Sequence, residues 1–142
     1  MNTVLARFLA VDYGEKRVGL AIADPIGMIA SPAGFIARRT GKRAPIAEII
    51  RRAEALEARG FIVGLPLDGD GNETPWTTEV RRVGDEIGKR TNLPVRYLDE
   101  RYTTATSLRA IREMDGSTRG RKGDVDSMAA AVLLQNALNV SE

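Results

Sequence analysis

Phe8-Leu-Ala-Val-Asp12-Tyr-Gly14-Glu-Lys-Arg17-Val-Gly19-Leu-Ala21 decides the fold. An apolar strand runs into an aspartate, reverses over Gly14-Glu15-Lys16 and leaves as a second apolar strand, Arg17 to Ala23. The spacing predicts an antiparallel hairpin, with Gly14 placed where the turn would call for positive φ. Side chains alternate across a strand, so Asp12 shares a face with Phe8 and Ala10 and stands as a carboxylate at the edge of a buried surface.

That carboxylate gains weight from what is missing. The 142 residues include no cysteine and no histidine, which excludes a thiolate or imidazole nucleophile, a Ser-His-Asp triad and a His/Cys zinc site. Hydrolytic chemistry has to come from Asp, Glu, Lys, Tyr, Ser or Thr, with a hard metal ion held by oxygen. The length fits a single domain spanning 1–142, and 43% hydrophobic with 28% charged residues is ordinary for a folded soluble chain. The apolar runs are shorter than a membrane span and the N-terminus does not read as a signal peptide, so a cytoplasmic protein without membrane association is expected.

Working outward, Asp24-Pro25 and Gly27 mark a turn, and Met28 to Arg38 reads as a third strand, interrupted at Ser31-Pro32 and therefore an edge or bulged one. From Pro45 the period becomes helical: Ile46, Ile49, Ile50, Ala53 and Leu56 share a face and Gly60 ends it. Phe61 to Gly64 is a short buried strand, followed by an irregular Leu65 to Asn72 loop. A helix from Thr74 or Pro75 to Arg90 turns Val80, Val83 and Ile87 inward, and Pro94 to Leu98 is the next strand. Thr103 or Thr104 caps a short helix with Leu108 and Ile111, and residues 115 to 123 form a polar, glycine-rich loop. The final helix opens at Asp124 as its cap and carries Met128, Ala131, Val132, Leu134 and Leu138, with small Ala129 and Ala130 allowing close packing on a sheet.

This order predicts an α/β protein with a mixed five-stranded sheet, three antiparallel strands then two parallel ones, and helices packed on it. Polar groups at strand ends near a switch in strand direction are where sites form in such sheets. Three acidic positions qualify: Asp12, then Asp99 or Glu100, then Asp124 or Asp126. Basic residues ring them, with Arg38, Arg39, Lys42 and Arg43 in one loop and Arg119, Arg121 and Lys122 in another. A basic rim around an acidic centre suits a polyanion, although a single such cluster is equally a solvated surface.

Four blocks resemble one family. Asp12-x-Gly14-x-Lys16-Arg17-x-Gly19-x-Ala21, Ile62-Val-Gly64-Leu65-Pro66, Asp99-Glu100-Arg101 and Lys122-Gly-x-Val-Asp126-Ser127-x-Ala129-Ala130 are similar to those of the YqgF/RuvX family. These are Holliday-junction-resolvase-like proteins of the ribonuclease H fold, and the likeness covers nearly the whole chain. One departure is Asp68, where asparagine is frequent in that family. The resemblance implies a ribonuclease H-like fold and a metal-dependent phosphodiesterase using Mg²⁺ or Mn²⁺, with Asp12, Glu100 and Asp126 as catalytic carboxylates and metal ligands. Converging carboxylates repel one another, a repulsion that divalent ions relieve. Lys16, Arg17, Arg101 and Lys122 are the candidates for holding substrate phosphates, each with a surface charge or local ion pair as its bland alternative. The implied partner is nucleic acid. The first reading is maturation of the 5′ end of precursor 16S ribosomal RNA. The alternatives are a Holliday-junction resolvase, which needs a symmetric dimer, and an inactive nucleic-acid-binding module. Monomer and homodimer both remain open.

Overall fold

The computed structural model describes residues 2–39, 41–101 and 122–140. A 3₁₀ turn, Thr3–Leu5, leads into β1 (Phe8–Tyr13), β2 (Arg17–Ala23) and β3 (Ala30–Ala37). Then come α1 (Ile46–Ala55), β4 (Gly60–Leu65), α2 (Pro75–Thr91), β5 (Val95–Asp99) and α3 (Lys122–Leu138). The sheet order is β3-β2-β1-β4-β5. β1 pairs β2 and β2 pairs β3 antiparallel, whereas β4 runs parallel to β1 and to β5, as expected from the hairpin followed by β-α-β alternation. β3 is an edge strand with an irregular register opposite Gly19 and Ala21.

The two-residue alternation along β1 builds two cores. Leu9, Val11 and Tyr13 face α1 and α2, packing with Phe61, Val63, Ile49, Val80, Val83 and Ile87. Phe8 and Ala10 face α3, packing with Ala21, Ile62, Ala130, Leu134 and Leu138. Each fully buried Leu or Ile contributes about 1.5–3 kcal/mol, so Leu133 and Leu134, both at 0% exposure, are strong anchors of α3 on the sheet.

Helix α2 begins where Thr74 and Thr77 cap each other: the Thr77 N–H donates to Thr74 Oγ1 at 3.3 Å and the Thr74 N–H to Thr77 Oγ1 at 3.1 Å. Pro75 follows in the first turn, where its missing N–H costs nothing. The helix ends at Asn92 in the left-handed region, φ 59°.

Three details differ from the sequence expectations. Gly14 does not have positive φ; a Cβ there would lie 2.7 Å from the Arg17 carbonyl oxygen, so the turn needs glycine for close approach. Helix α3 is already formed at Lys122, which puts Asp124 inside the first turn rather than at its cap. Its inward face is Ala129, Ala130, Leu133, Leu134, Ala137 and Leu138, while Met128 is 51% exposed. A helix apolar on nearly every side has no polar stripe to fix its phase. The helix expected near Thr103 and most of the 115 to 123 loop lie outside the described residues.

Candidate active site

Asp12, Glu100 and Asp126 are brought to the same end of the sheet and are buried there, at 3%, 3% and 4% exposure. Asp12 lies near the carboxyl end of β1 on the face that Phe8 and Ala10 turn to α3. Its partner across the hairpin is Gly19, and β4 continues beside it from the Val11–Val63 pair to Gly64. Residues paired across strands share a face, so Asp12 stands between two glycines.

Each glycine makes room for one of the other acids. A Cβ on Gly19 would sit 2.2 Å from the Asp126 carbonyl oxygen and 3.2 Å from Asp126 Cβ, so the first turn of α3 rests directly on the β2 backbone. A Cβ on Gly64 would sit 2.4 Å from Glu100 Oε2. Adjacent strands are about 4.8 Å apart, which places the Glu100 carboxylate on one flank of Asp12 and Asp126 on the other. Glu100 reaches this face because its N–H pairs with the Leu65 carbonyl at 3.3 Å, continuing the β4–β5 ladder one residue past the strand.

Asp126 is positioned from two sides. Arg17 Nε donates to its Oδ2 at 2.6 Å, with the side chains 17% and 5% exposed. The next residue, Ser127, is also buried: its hydroxyl donates to the Leu20 carbonyl at 2.9 Å and accepts from the Gly34 N–H at 3.1 Å. One side chain thus pins the start of α3 to both β2 and β3. Sequence reasoning passed over Ser127, although its place beside Asp126 within one motif was the available signal.

The donor set is entirely carboxylate oxygen, the ligand type of a hard divalent cation, and the two glycines let Glu100 and Asp126 close on Asp12 from either flank. In the conformation described, no group of three or more carboxylates among the described residues is drawn together tightly enough to hold a metal ion, and Arg17 provides positive charge at Asp126.

The neighbouring acids are engaged elsewhere. Asp99 accepts from Arg101 Nε at 3.0 Å and from the Arg101 N–H at 2.9 Å, and those bonds hold its carboxyl below the usual carboxylate range. Arg101 Nη1 also reaches the Gly69 carbonyl at 3.4 Å, bracing the loop after β4. Asp68 Oδ1 accepts from the N–H groups of Asp70 and Asn72 at 2.9 and 2.8 Å. This Asx turn is a task that asparagine can perform equally well. Asp124 is exposed, Lys16 is exposed at the hairpin tip, and the Lys122 side chain lies outside the described residues.

A sequence model of the RuvX family, described as Holliday junction resolvase, matches residues 6–140. A protein of Kineococcus radiotolerans is 41% identical over 132 residues, covering 92% of this chain and 70% of its own length. One from an Anaeromyxobacter species is 37% identical, covering 94% and 96%, and one from Halothermothrix orenii is 36% identical, covering 94% of each. All three bear the name "Putative pre-16S rRNA nuclease". Among solved structures, Thermus thermophilus RuvC in complex with a Holliday junction substrate superposes with a TM-score of 0.56 at 14% identity, covering 92% of both chains. That likeness is one of fold.

Proposed function

This chain belongs to the RuvX family, and from that premise we propose that it is a nuclease that hydrolyses phosphodiester bonds in precursor 16S ribosomal RNA, at its 5′ end. The observation that carries the reading is the burial of three carboxylates around a pair of glycines at the carboxyl end of β1. A protein that merely bound a polyanion would gain nothing from acid at its centre, and burying three carboxylates costs too much to be incidental.

Asp12, Glu100 and Asp126 are the proposed ligands of Mg²⁺ or Mn²⁺, ions that would activate water and stabilise the leaving oxygen when bound. Asp12 is the central group, fixed by a strand paired on both sides. Glu100 is favoured over Asp99 because Asp99 is bound to Arg101 and faces away from Gly64. Asp126 is favoured over Asp124 because it is buried and oriented by Arg17. Arg17 aims Asp126, and with Lys16, Arg101 and Lys122 it would hold the phosphates on either side of the scissile bond.

The described helices include none long and apolar enough to cross a membrane. We take 1–142 as one catalytic domain working on RNA in the cytoplasm. The test is side-by-side incubation of a labelled precursor 16S leader and a four-way DNA junction with Mg²⁺. Cutting of the RNA alone supports this reading, cutting of the junction alone selects a resolvase, and binding of both without cutting leaves a binding module.

A further inference from the structure

Asp12 and Tyr13 are consecutive on β1 and turn to opposite faces of the same sheet end. Behind the acidic pocket, Tyr13 stacks on Trp76 with ring centroids 5.6 Å apart and 20° between the planes. The Arg38 guanidinium carbon lies 4.5 Å from the Tyr13 centroid and 5.9 Å from that of Trp76. Arg38 Nη1 donates to the Gly14 carbonyl at 2.8 Å, and its N–H to the Lys16 carbonyl at 2.8 Å. The cluster therefore ties together the hairpin turn, the end of β3 and the first turn of α2.

Its exposure is uneven. Tyr13 is 2% exposed and serves as a rigid backing, while Trp76, the sole tryptophan of the chain, is only partly buried. The hairpin tip and the loop after β3, joined through Arg38, carry Lys16, Arg39, Lys42 and Arg43, all exposed and none in an ion pair among the described residues. Arg51, Arg52, Arg81, Arg82 and Arg90, on the helices, are by contrast each paired with a glutamate. Unpaired cations beside a backed aromatic residue that is only partly buried are the chemistry that holds single-stranded nucleic acid, through base stacking and phosphate neutralisation.

We propose that Trp76, backed by Tyr13 and Arg38, is a stacking platform for one unpaired base of the substrate, with Lys16, Arg39, Lys42 and Arg43 holding the adjoining phosphates. The inference rests on the nuclease reading and narrows its substrate: a strand crossing the end of the sheet lays a phosphate over Asp12 on one side and a base on Trp76 on the other. A base paired within a continuous duplex cannot offer its face to the ring. The preferred substrate has an unpaired nucleotide next to the bond that is cut.

One tryptophan makes the test clean. A 12-nucleotide single-stranded RNA carrying a 3′ fluorophore, and the same RNA annealed as a blunt duplex, are titrated in EDTA against the whole protein. Label anisotropy and Trp76 emission are followed together. The single strand is expected to bind and quench Trp76, and the duplex to leave its emission unchanged. Trp76→Leu should weaken single-strand binding roughly 5- to 150-fold, since stacking on one aromatic ring contributes about 1–3 kcal/mol, and Trp76→Phe should recover most of it. Binding of the single strand with Trp76 emission unchanged, or Trp76→Leu with wild-type affinity, overturns the proposal. If Trp76→Leu does not fold, the wild-type emission decides alone. A parallel cleavage assay in Mg²⁺ separates the two claims: cutting without quenching refutes only the platform, and quenching without cutting refutes only the nuclease.

Discussion

Replacing Gly64 by alanine sets one methyl group beneath the Glu100 carboxylate. The new Cβ would lie 2.4 Å from Glu100 Oε2 and 3.0 Å from Leu133 Cδ2, against about 3.4 Å for ordinary contact. The carboxylate, at the free end of a flexible side chain, must retreat by about 1 Å, whereas Leu133 has to give only a few tenths. The fold should survive: alanine in a strand is about 0.5–1 kcal/mol better than glycine, and overpacking costs about 1–3 kcal/mol, leaving a net loss of about 1 kcal/mol. Catalysis should not survive as well, because a 1 Å misplacement of a reacting group costs about 100-fold. Gly19→Ala is the contrast. Its Cβ would meet the Asp126 carbonyl oxygen at 2.2 Å and the carbonyl carbon at 2.5 Å. Neither can swing aside, so α3 must lift and stability should fall by about 3 kcal/mol or more. Urea unfolding and single-turnover cleavage of the precursor leader measure both effects. Gly64→Ala with wild-type rate and stability would refute the placement of Glu100 in the reacting centre.

Three further outcomes follow from the same geometry. Ser127→Ala removes one buried and one part-buried hydrogen bond that pin α3 to β2 and β3; urea unfolding should show a loss of about 1–3 kcal/mol. Arg17→Gln leaves Asp126 buried without its guanidinium, so the metal-free protein should melt lower by differential scanning fluorimetry, and added Mn²⁺ should raise its Tm more than it raises that of the wild type. Hydrogen bonds from Arg51 and Arg52 lower the Glu48 pKa from 4.5 to about 2. A depressed carboxylate adds stability above its unfolded pKa, and that increment is lost as pH falls from about 4.5 toward 2; NMR titration should find the Glu48 midpoint near 2 and see it rise in Arg51→Ala.

What could be read from residues alone was whatever depends on short-range pattern. The alternation from Phe8 to Asp12 correctly put the aspartate on the face of Phe8 and Ala10, which the structure turns to α3, and the Ile46, Ile49, Ala53 spacing marked the inner face of α1. The reading of α3 placed Ala129, Ala130, Leu134 and Leu138 correctly and Met128 wrongly, because residues 128–134 are apolar on every side and only docking on the sheet selects Leu133 over Met128. The choice between Asp99 and Glu100 turns on one step of strand parity, set by a Leu65 hydrogen bond that no local pattern announces. The Arg17–Asp126 pair and the Tyr13, Arg38 and Trp76 cluster join residues far apart in the chain, so they became visible only once the sheet was assembled. Gly19 and Gly64 stood inside quoted motifs, but their task is to vacate space for another residue's carboxylate, which sequence does not display.

The most direct test of the central claim is the Mn²⁺-dependent cleavage rate of the precursor 16S leader by wild type and by Asp12→Asn, a substitution that keeps the shape of the side chain and removes its charge. The expected result is cutting by wild type that EDTA abolishes, and a loss of at least about 100-fold in the variant, with a cooperative melting transition showing that it is folded. Cutting by Asp12→Asn at the wild-type rate, or wild-type cutting that persists in EDTA, would contradict a site built on these carboxylates.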